Sequence, residues 1–249
     1  MTVEKKAIQL IALDMDGTLL TSDHEVSHRT QMAIKQALEK GIHVVLSTGR
    51  GIHTCYPYAE QLQLQSYLIT ANGGQIWTVE KELLDQHLLD AALIEKMYNL
   101  GTQVGVEMWM ISTSGVFREE TPGNFNDYEW LKFGCQSEEK QKLDIMISEL
   151  SKYEELELTN SLPINVEVNP KGVSKARALQ FLCNKIGITM DEVMAVGDSL
   201  NDIKMIQEAG IGVAMGNAQE AIKKVANHET DTNNNDGVAK AIEKFALSK

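Results

Sequence analysis

Asp14 and Asp16, in Ile11-Ala12-Leu13-Asp14-Met15-Asp16-Gly17-Thr18, follow an apolar run that reads as a buried strand. At the carboxyl end of a strand in an open parallel sheet, acids face the ligand crevice, where they can be solvated, bind metal or do chemistry. Gly17 allows the chain to turn there and give the two acids separate roles. Asp198 and Asp202, in Gly197-Asp198-Ser199-Leu200-Asn201-Asp202, follow a second such strand. If Asp14, Asp16 and Asp198 converged without a cation, their mutual repulsion would raise at least one pKa. A divalent metal removes that difficulty, and an all-oxygen donor set favours Mg²⁺. Lys175 falls in the first turn of an expected helix, where the dipole disfavours a cation by roughly 0.3–1 kcal/mol and a bound anion reverses the penalty. Thr48, the amide of Gly49 and Asn201 are placed to hold phosphoryl oxygens, in a pattern that suits phosphoryl transfer.

The surrounding elements must bring these residues together. A strand over the first apolar run is followed by a helix capped by Ser27, with a buried stripe at Ile34, Ala37 and Leu38 and a stop at Gly41. Ile42 to Leu46 reads as a second strand ending in Ser47-Thr48-Gly49-Arg50, and Tyr67 to Thr70 as a third ending in Asn72-Gly73-Gly74. Strand and helix alternation of this kind implies a parallel sheet with right-handed crossovers. From about Gln75 the pattern changes to a hairpin, a helix over Ala91 to Leu100, strands at Val104 to Ile111, Trp130 to Phe133 and Ile164 to Val168, and a helix over Ser137 to Ser151. Asn169-Pro170-Lys171-Gly172 marks the return to alternation, with a helix from Ser174 and strands at Val193 to Val196 and Gly212 to Ala214. The expected fold is α/β: a doubly wound parallel-sheet (Rossmann-like) core, residues 1–82 and 171–249, with an inserted α+β cap domain over residues 83–170.

The chain has 249 residues and a formal net charge of -12, which argues against nucleic acid or an anionic membrane surface as partner. Cys55, Cys135 and Cys183 show no metal-ligand spacing, so a reduced cytoplasm is expected. Lys5 and Lys6 precede too short an apolar run for a signal peptide, and no stretch reaches membrane-spanning length. Trp109, Phe117, Phe125 and Trp130 are expected to pack the inserted domain, and Asn165 is a weaker candidate for facing a substrate.

Taken in order, Asp14-Met15-Asp16-Gly17-Thr18, Ser47-Thr48-Gly49-Arg50, Lys175 in Gly172-Val173-Ser174-Lys175, and Gly197 to Asp202 resemble the four motifs of the haloacid dehalogenase superfamily, in its Cof-type phosphatase subgroup with a large α/β cap. Met215-Gly216-Asn217-Ala218 and Asp236-Gly237-Val238-Ala239 extend the likeness over essentially the whole chain. The departures are Ala176, where the family often has Gly, and Gly51, where it often has Pro; neither removes a catalytic group.

The resemblance implies a Mg²⁺-dependent phosphatase of small phosphate esters, with sugar phosphates favoured. Asp14 would be the nucleophile that forms an aspartyl-phosphate, and Asp16 the acid and base. The metal would be held by the Asp14 carboxylate, the Asp16 backbone carbonyl and Asp198. Thr48, Gly49, Arg50, Lys175 and Asn201 would bind the substrate, and Asp202 would orient Lys175 or a metal-bound water. Asp16 separates phosphatases and phosphomutases from family members that need no second acid. A phosphomutase and a non-catalytic metabolite-binding protein remain the alternatives.

Overall fold

Leu10, Ile11, Ala12 and Leu13 are all buried, as a strand covered on both faces must be. In the computed structural model, which describes residues 6–118 and 120–248, this strand, β1 (Leu10–Leu13), lies near the middle of the larger of two sheets. Lys5 lies outside the described residues.

The first part of the chain winds as the alternation requires. Helix α1 (His28–Glu39) is capped by the Ser27 side chain, which accepts from the Thr30 amide. Then come β2 (His43–Ser47), α2 (Ile52–Gln61) and β3 (Tyr67–Thr70), followed by the hairpin strands β4 (Gln75–Thr78) and β5 (Leu83–Gln86). Helix α3 (Ala91–Val104), β6 (Glu107–Ser112), β7 (Gly115–Phe117), β8 (Trp130–Gln136), α4 (Lys140–Leu150), β9 (Leu156–Thr159) and β10 (Asn165–Pro170) form the inserted unit. The chain returns through α5 (Lys175–Ile186), β11 (Val193–Gly197), α6 (Ile203–Glu208), β12 (Ile211–Ala214), α7 (Glu220–Lys223), β13 (His228–Glu229) and α8 (Gly237–Ile242).

Among the described residues the larger sheet has eight strands in the order β13-β12-β11-β1-β2-β3-β4-β5, and the smaller has five in the order β7-β6-β8-β10-β9. Pairing is parallel from β13 to β3 and antiparallel from β3 to β5. The smaller sheet is antiparallel throughout. The expected fold class is therefore the observed one.

The passage between sheets differs from the expected boundary. Residues 83–86 pair with β4 at the edge of the larger sheet, because the hairpin needs its second strand, so the crossing falls after them. It is made where the His87 amide donates to the Gly74 carbonyl and the Leu89 amide to that of Trp130.

The smaller sheet has two unlike faces. Val166, Val168, Phe133, Cys135 and Trp130 pack with Ile94, Met97, Leu143 and Met146 of α3 and α4 in one apolar cluster. The other face meets the larger sheet's loops through Trp109, Ile111 and Leu131, which cluster with Ala71. Phe117, Phe125 and Trp130 pack with tilted rings inside the insert, with ring centroids 5.2 and 6.0 Å apart for the two pairs that include Trp130. Trp109 departs from that group, because it lies on the face turned towards the core. All three cysteines are free and buried, and among the described residues no helix is long and apolar enough to cross a membrane.

Candidate active site

Register fixes the level at which the chemical groups stand. Leu13 of β1 pairs with Leu46 of β2 on one side and with Val196 of β11 on the other. Asp14, Ser47-Thr48 and Gly197-Asp198 therefore leave three adjacent strands together, at one end of the sheet. Helix α5 adds Lys175 as its first residue, directly after Ser174, whose side chain caps the helix by accepting from the Arg177 amide.

Lys175 is fully buried, and its ammonium donates to Asp14 Oδ1 at 2.6 Å and to Asp202 Oδ1 at 2.7 Å. Asp202 Oδ2 accepts from the amides of Asp198, at 3.0 Å, and Ser199, at 3.1 Å. Both oxygens of Asp202 are thus committed, and its task in this arrangement is to hold the lysine and the β11 loop. Asp198 accepts from the Thr18 hydroxyl at 2.8 Å and the Ser199 hydroxyl at 2.9 Å. Gly17 turns at φ +79°, and a Cβ there would stand 2.6 Å from Asp198 Oδ2, so glycine lets the Asp14 and Asp198 loops close on each other.

The acids form a cluster that could hold a cation. Carboxylate oxygens of Asp14, Asp198 and Asp202 lie within 4.8 Å of one another. Burial pushes the Asp14 carboxyl well above the usual range, and Asp202 and Asp198 push it further against the pull of Lys175. Burial, then Asp202, raises Asp198 to about 6, against the hydrogen bonds from Thr18 and Ser199. Lys175 loses solvation, but Asp14 and Asp202 more than compensate and hold its pKa above the ordinary lysine value. Hard oxygen donors whose ionised forms repel one another fit a divalent cation such as Mg²⁺.

Asp16 stands apart from that cluster. Its side chain is 49% exposed and is gripped by Arg50, whose Nε and Nη2 donate to its two oxygens at 2.8 and 2.6 Å. Arg50, expected to hold substrate, thus has Asp16 as its partner here. Thr48 is buried beside Asp14's strand and accepts from the Arg50 amide through its hydroxyl at 3.1 Å. Asn201 donates to Asn72 Oδ1 at 3.2 Å, while its own Oδ1 is buried with no partner. Asn165 lies on the same face of β10 as Glu167, and its Oδ1 accepts from the amides of Ser161 and Leu162 and shapes that turn.

A family profile described as haloacid dehalogenase-like hydrolase matches residues 11–132 and 119–242. The chain belongs to this family. A 5-amino-6-(5-phospho-D-ribitylamino)uracil phosphatase of Bacillus subtilis, YcsE, is 49% identical over 240 residues, covering 96% of each chain. A phosphoglycolate phosphatase of Methanobrevibacter smithii is 30% identical over 246 residues, covering 96% of this chain and 99% of its own. A haloacid dehalogenase-like hydrolase from B. subtilis superposes with a TM-score of 0.88 at 29% identity, covering 96% of this chain and 100% of its own. This haloacid dehalogenase-like chain is a phosphatase, a phosphoric monoester hydrolase.

Lys132 and Glu167, at the same end of the larger sheet, are not among the residues expected from the sequence. Lys132 of β8 and Glu167 of β10 form an ion pair at 2.8 Å, with side chains only 2% and 5% exposed. Asn72 donates to Glu167 Oε2 at 2.7 Å, and Asn169 donates to the Ala71 carbonyl at 2.8 Å, so core and insert are stitched together here. The alternation Asn165-Val166-Glu167-Val168-Asn169 was the available signal: a strand with one polar face inside an apolar domain needs a partner for that face.

Proposed function

We propose that the chain is a Mg²⁺-dependent phosphatase of small phosphorylated metabolites, working through a phosphoryl group carried on Asp14. The observation that carries this reading is the buried Asp14 carboxylate held by Lys175 within a cluster of oxygen donors. Lys175 takes one Asp14 oxygen, and no other protein donor among the described residues engages the second, which is the oxygen assigned to attack.

In the first half-reaction Asp14 bonds to phosphorus as the bond to the leaving alcohol breaks, and Asp16 supplies the proton that alcohol needs. In the second, Asp16 takes a proton from the water that attacks phosphorus, and Asp14 is released as carboxylate. For the acid step Asp16 must exchange one Arg50 contact for the leaving oxygen. Thr48, the Gly49 amide and Lys175 would hold phosphoryl oxygens, and Asp202 keeps Lys175 in place. The Asp14 and Asp198 carboxylates, with the Asp16 backbone carbonyl, would hold the cation, which supplies charge neutralisation between nucleophile and phosphoryl group.

The substrate assignment is a sugar-phosphate-like ester, with a phosphorylated ribityl chain the first candidate. Support comes from the 49% identical relative, whose name specifies such a group. A cytoplasmic setting is part of the same reading, supported by three free, buried cysteines. Hydrolysis of a panel of sugar, polyol and nucleotide monophosphates, with and without Mg²⁺, tests it. Asp14→Asn is expected to lower turnover of every active ester by more than about a thousandfold. Retained Mg²⁺-dependent turnover in that variant would refute the mechanism.

A further inference from the structure

In the proposed site the core would hold the phosphoryl end through Asp14, Thr48 and Lys175, which leaves the alcohol portion of a bound ester to meet the insert. The group that the insert presents at this place is Lys132. Its ammonium donates to the carbonyl of Gly49, next to Thr48, at 3.2 Å, and pairs with Glu167 at 2.8 Å. A Cβ built on Gly49 would stand 2.9 Å from both Lys132 Nζ and Asn72 Oδ1, and 3.5 Å from Glu167 Oε2. The phosphate-binding loop is therefore roofed directly by the ion pair.

A buried ion pair is a weak device for stability, because desolvating both charges offsets most of their attraction. Glu167 is fully engaged: Oε1 accepts from the Ser161 hydroxyl at 2.9 Å, and Oε2 from Lys132 and Asn72. Lys132 is not, since an ammonium has three N–H groups and two are used. Asn72 links this arrangement to Asn201, whose Oδ1 is buried and unpartnered. A buried acceptor without a donor is costly unless a ligand or water supplies one. The seam thus holds a spare donor on the insert and a spare acceptor on the core, joined through one asparagine. A hydroxyl group complements both, because it accepts and donates at once.

We propose that Lys132 is a specificity-determining residue of this phosphatase, and that with Asn201 Oδ1 it recognises a hydroxyl of a polyol leaving group. Glu167 and Asn72 are positioning residues that aim Lys132 and Asn201. The inference rests on the proposed reading of Asp14 and its neighbours as the site of phosphoryl transfer.

Lys132→Met removes the donor and keeps the stem, but leaves Glu167 buried without its cation. The double variant Lys132→Met/Glu167→Gln therefore accompanies it, since the amide oxygen still accepts from Asn72 while its NH2 can donate to the Ser161 hydroxyl. Both are assayed with Mg²⁺ against ribitol 5-phosphate and against nitrophenyl phosphate, which carries no hydroxyl. The ratio of kcat/KM for the polyol ester to that for the aryl ester is expected to fall about 10- to 100-fold in both variants, mainly through KM, as the loss of a charged hydrogen bond implies. An unchanged ratio, or a wild-type protein with no preference for the polyol ester, would overturn the inference while leaving the phosphatase mechanism standing. A wild-type protein that hydrolyses neither ester would overturn the mechanism, and this inference with it.

Discussion

Asp14, bound by the buried Lys175, and Asp16, exposed beside Arg50, show how one strand end supports two kinds of acid. Lys175 neutralises part of the charge of Asp14 and Asp202 inside the protein, so Lys175→Met leaves two buried carboxylates without their shared cation. A loss of about 3–5 kcal/mol is expected by denaturant unfolding in chelator, and a smaller loss when Mg²⁺ is present. Equal losses in the two conditions would show that the cluster holds no cation. Asp16 is half exposed and held by Arg50, outside the cluster. Asp16→Asn should lower kcat/KM for an alkyl phosphate by about 10²–10⁴-fold, and that for nitrophenyl phosphate much less, because in the first transfer only the alkoxide needs a proton. Comparing kcat/KM for the two esters checks this, and equal losses would remove Asp16 from the acid role.

The elements behind these residues were largely legible, and the insert's working face was not. Tyr67 to Thr70 and the strand from Val193 stand where the apolar runs placed them, because strands buried on both faces announce themselves as continuous apolar segments. Lys132 was hidden by the same rule: it interrupts an apolar run in β8, and nothing in one strand's sequence says that Glu167 of β10 and Gly49 of the core will meet it. Asn72-Gly73-Gly74 reads in sequence equally as a backbone turn or as an active-site wall; the left-handed backbone at Asn72, φ 59°, aims its side chain at Glu167. Residues 83–86 were assigned to the insert because the pattern shift begins before them, whereas the β4–β5 hairpin keeps them on the core. The start of α5 at Ser174 was legible, and the structure shows that the Ser174 side chain caps it. Ser174→Ala should cost about 1 kcal/mol and, because Lys175 is the next residue, should also lower kcat. Ser27→Ala on α1 should cost a similar amount with kcat unchanged. Thermal unfolding and steady-state kinetics on the two variants separate the effects.

At the scale of the whole molecule, two sheets with separate apolar cores meet along a seam that is apolar at Trp109, Ile111 and Leu131 and polar at Lys132, Glu167 and Asn72, and the proposed chemistry lies where the ends of β11, β1 and β2 face it. The acid cluster ties stability to pH and metal. Asp198 has its carboxyl raised from 3.8 to about 6, and Asp14 is raised as well, so without a cation their contribution to stability is present at low pH and lost as pH rises through about 6. A cation binds the ionised form and reverses that loss. The rise in Tm on adding Mg²⁺ should therefore be small near pH 5 and grow as pH passes about 6 to 7, followed by differential scanning fluorimetry. A rise independent of pH over that range would place the metal elsewhere. The central claim, that Asp14 carries the phosphoryl group, is tested most directly by quenching the enzyme during turnover, reducing any acyl phosphate with borohydride and mapping the reduced residue by peptide mass spectrometry. Reduction at Asp14, dependent on substrate and Mg²⁺, is the predicted result; reduction at Asp16 instead, or modification of Asp14 without substrate, would contradict it.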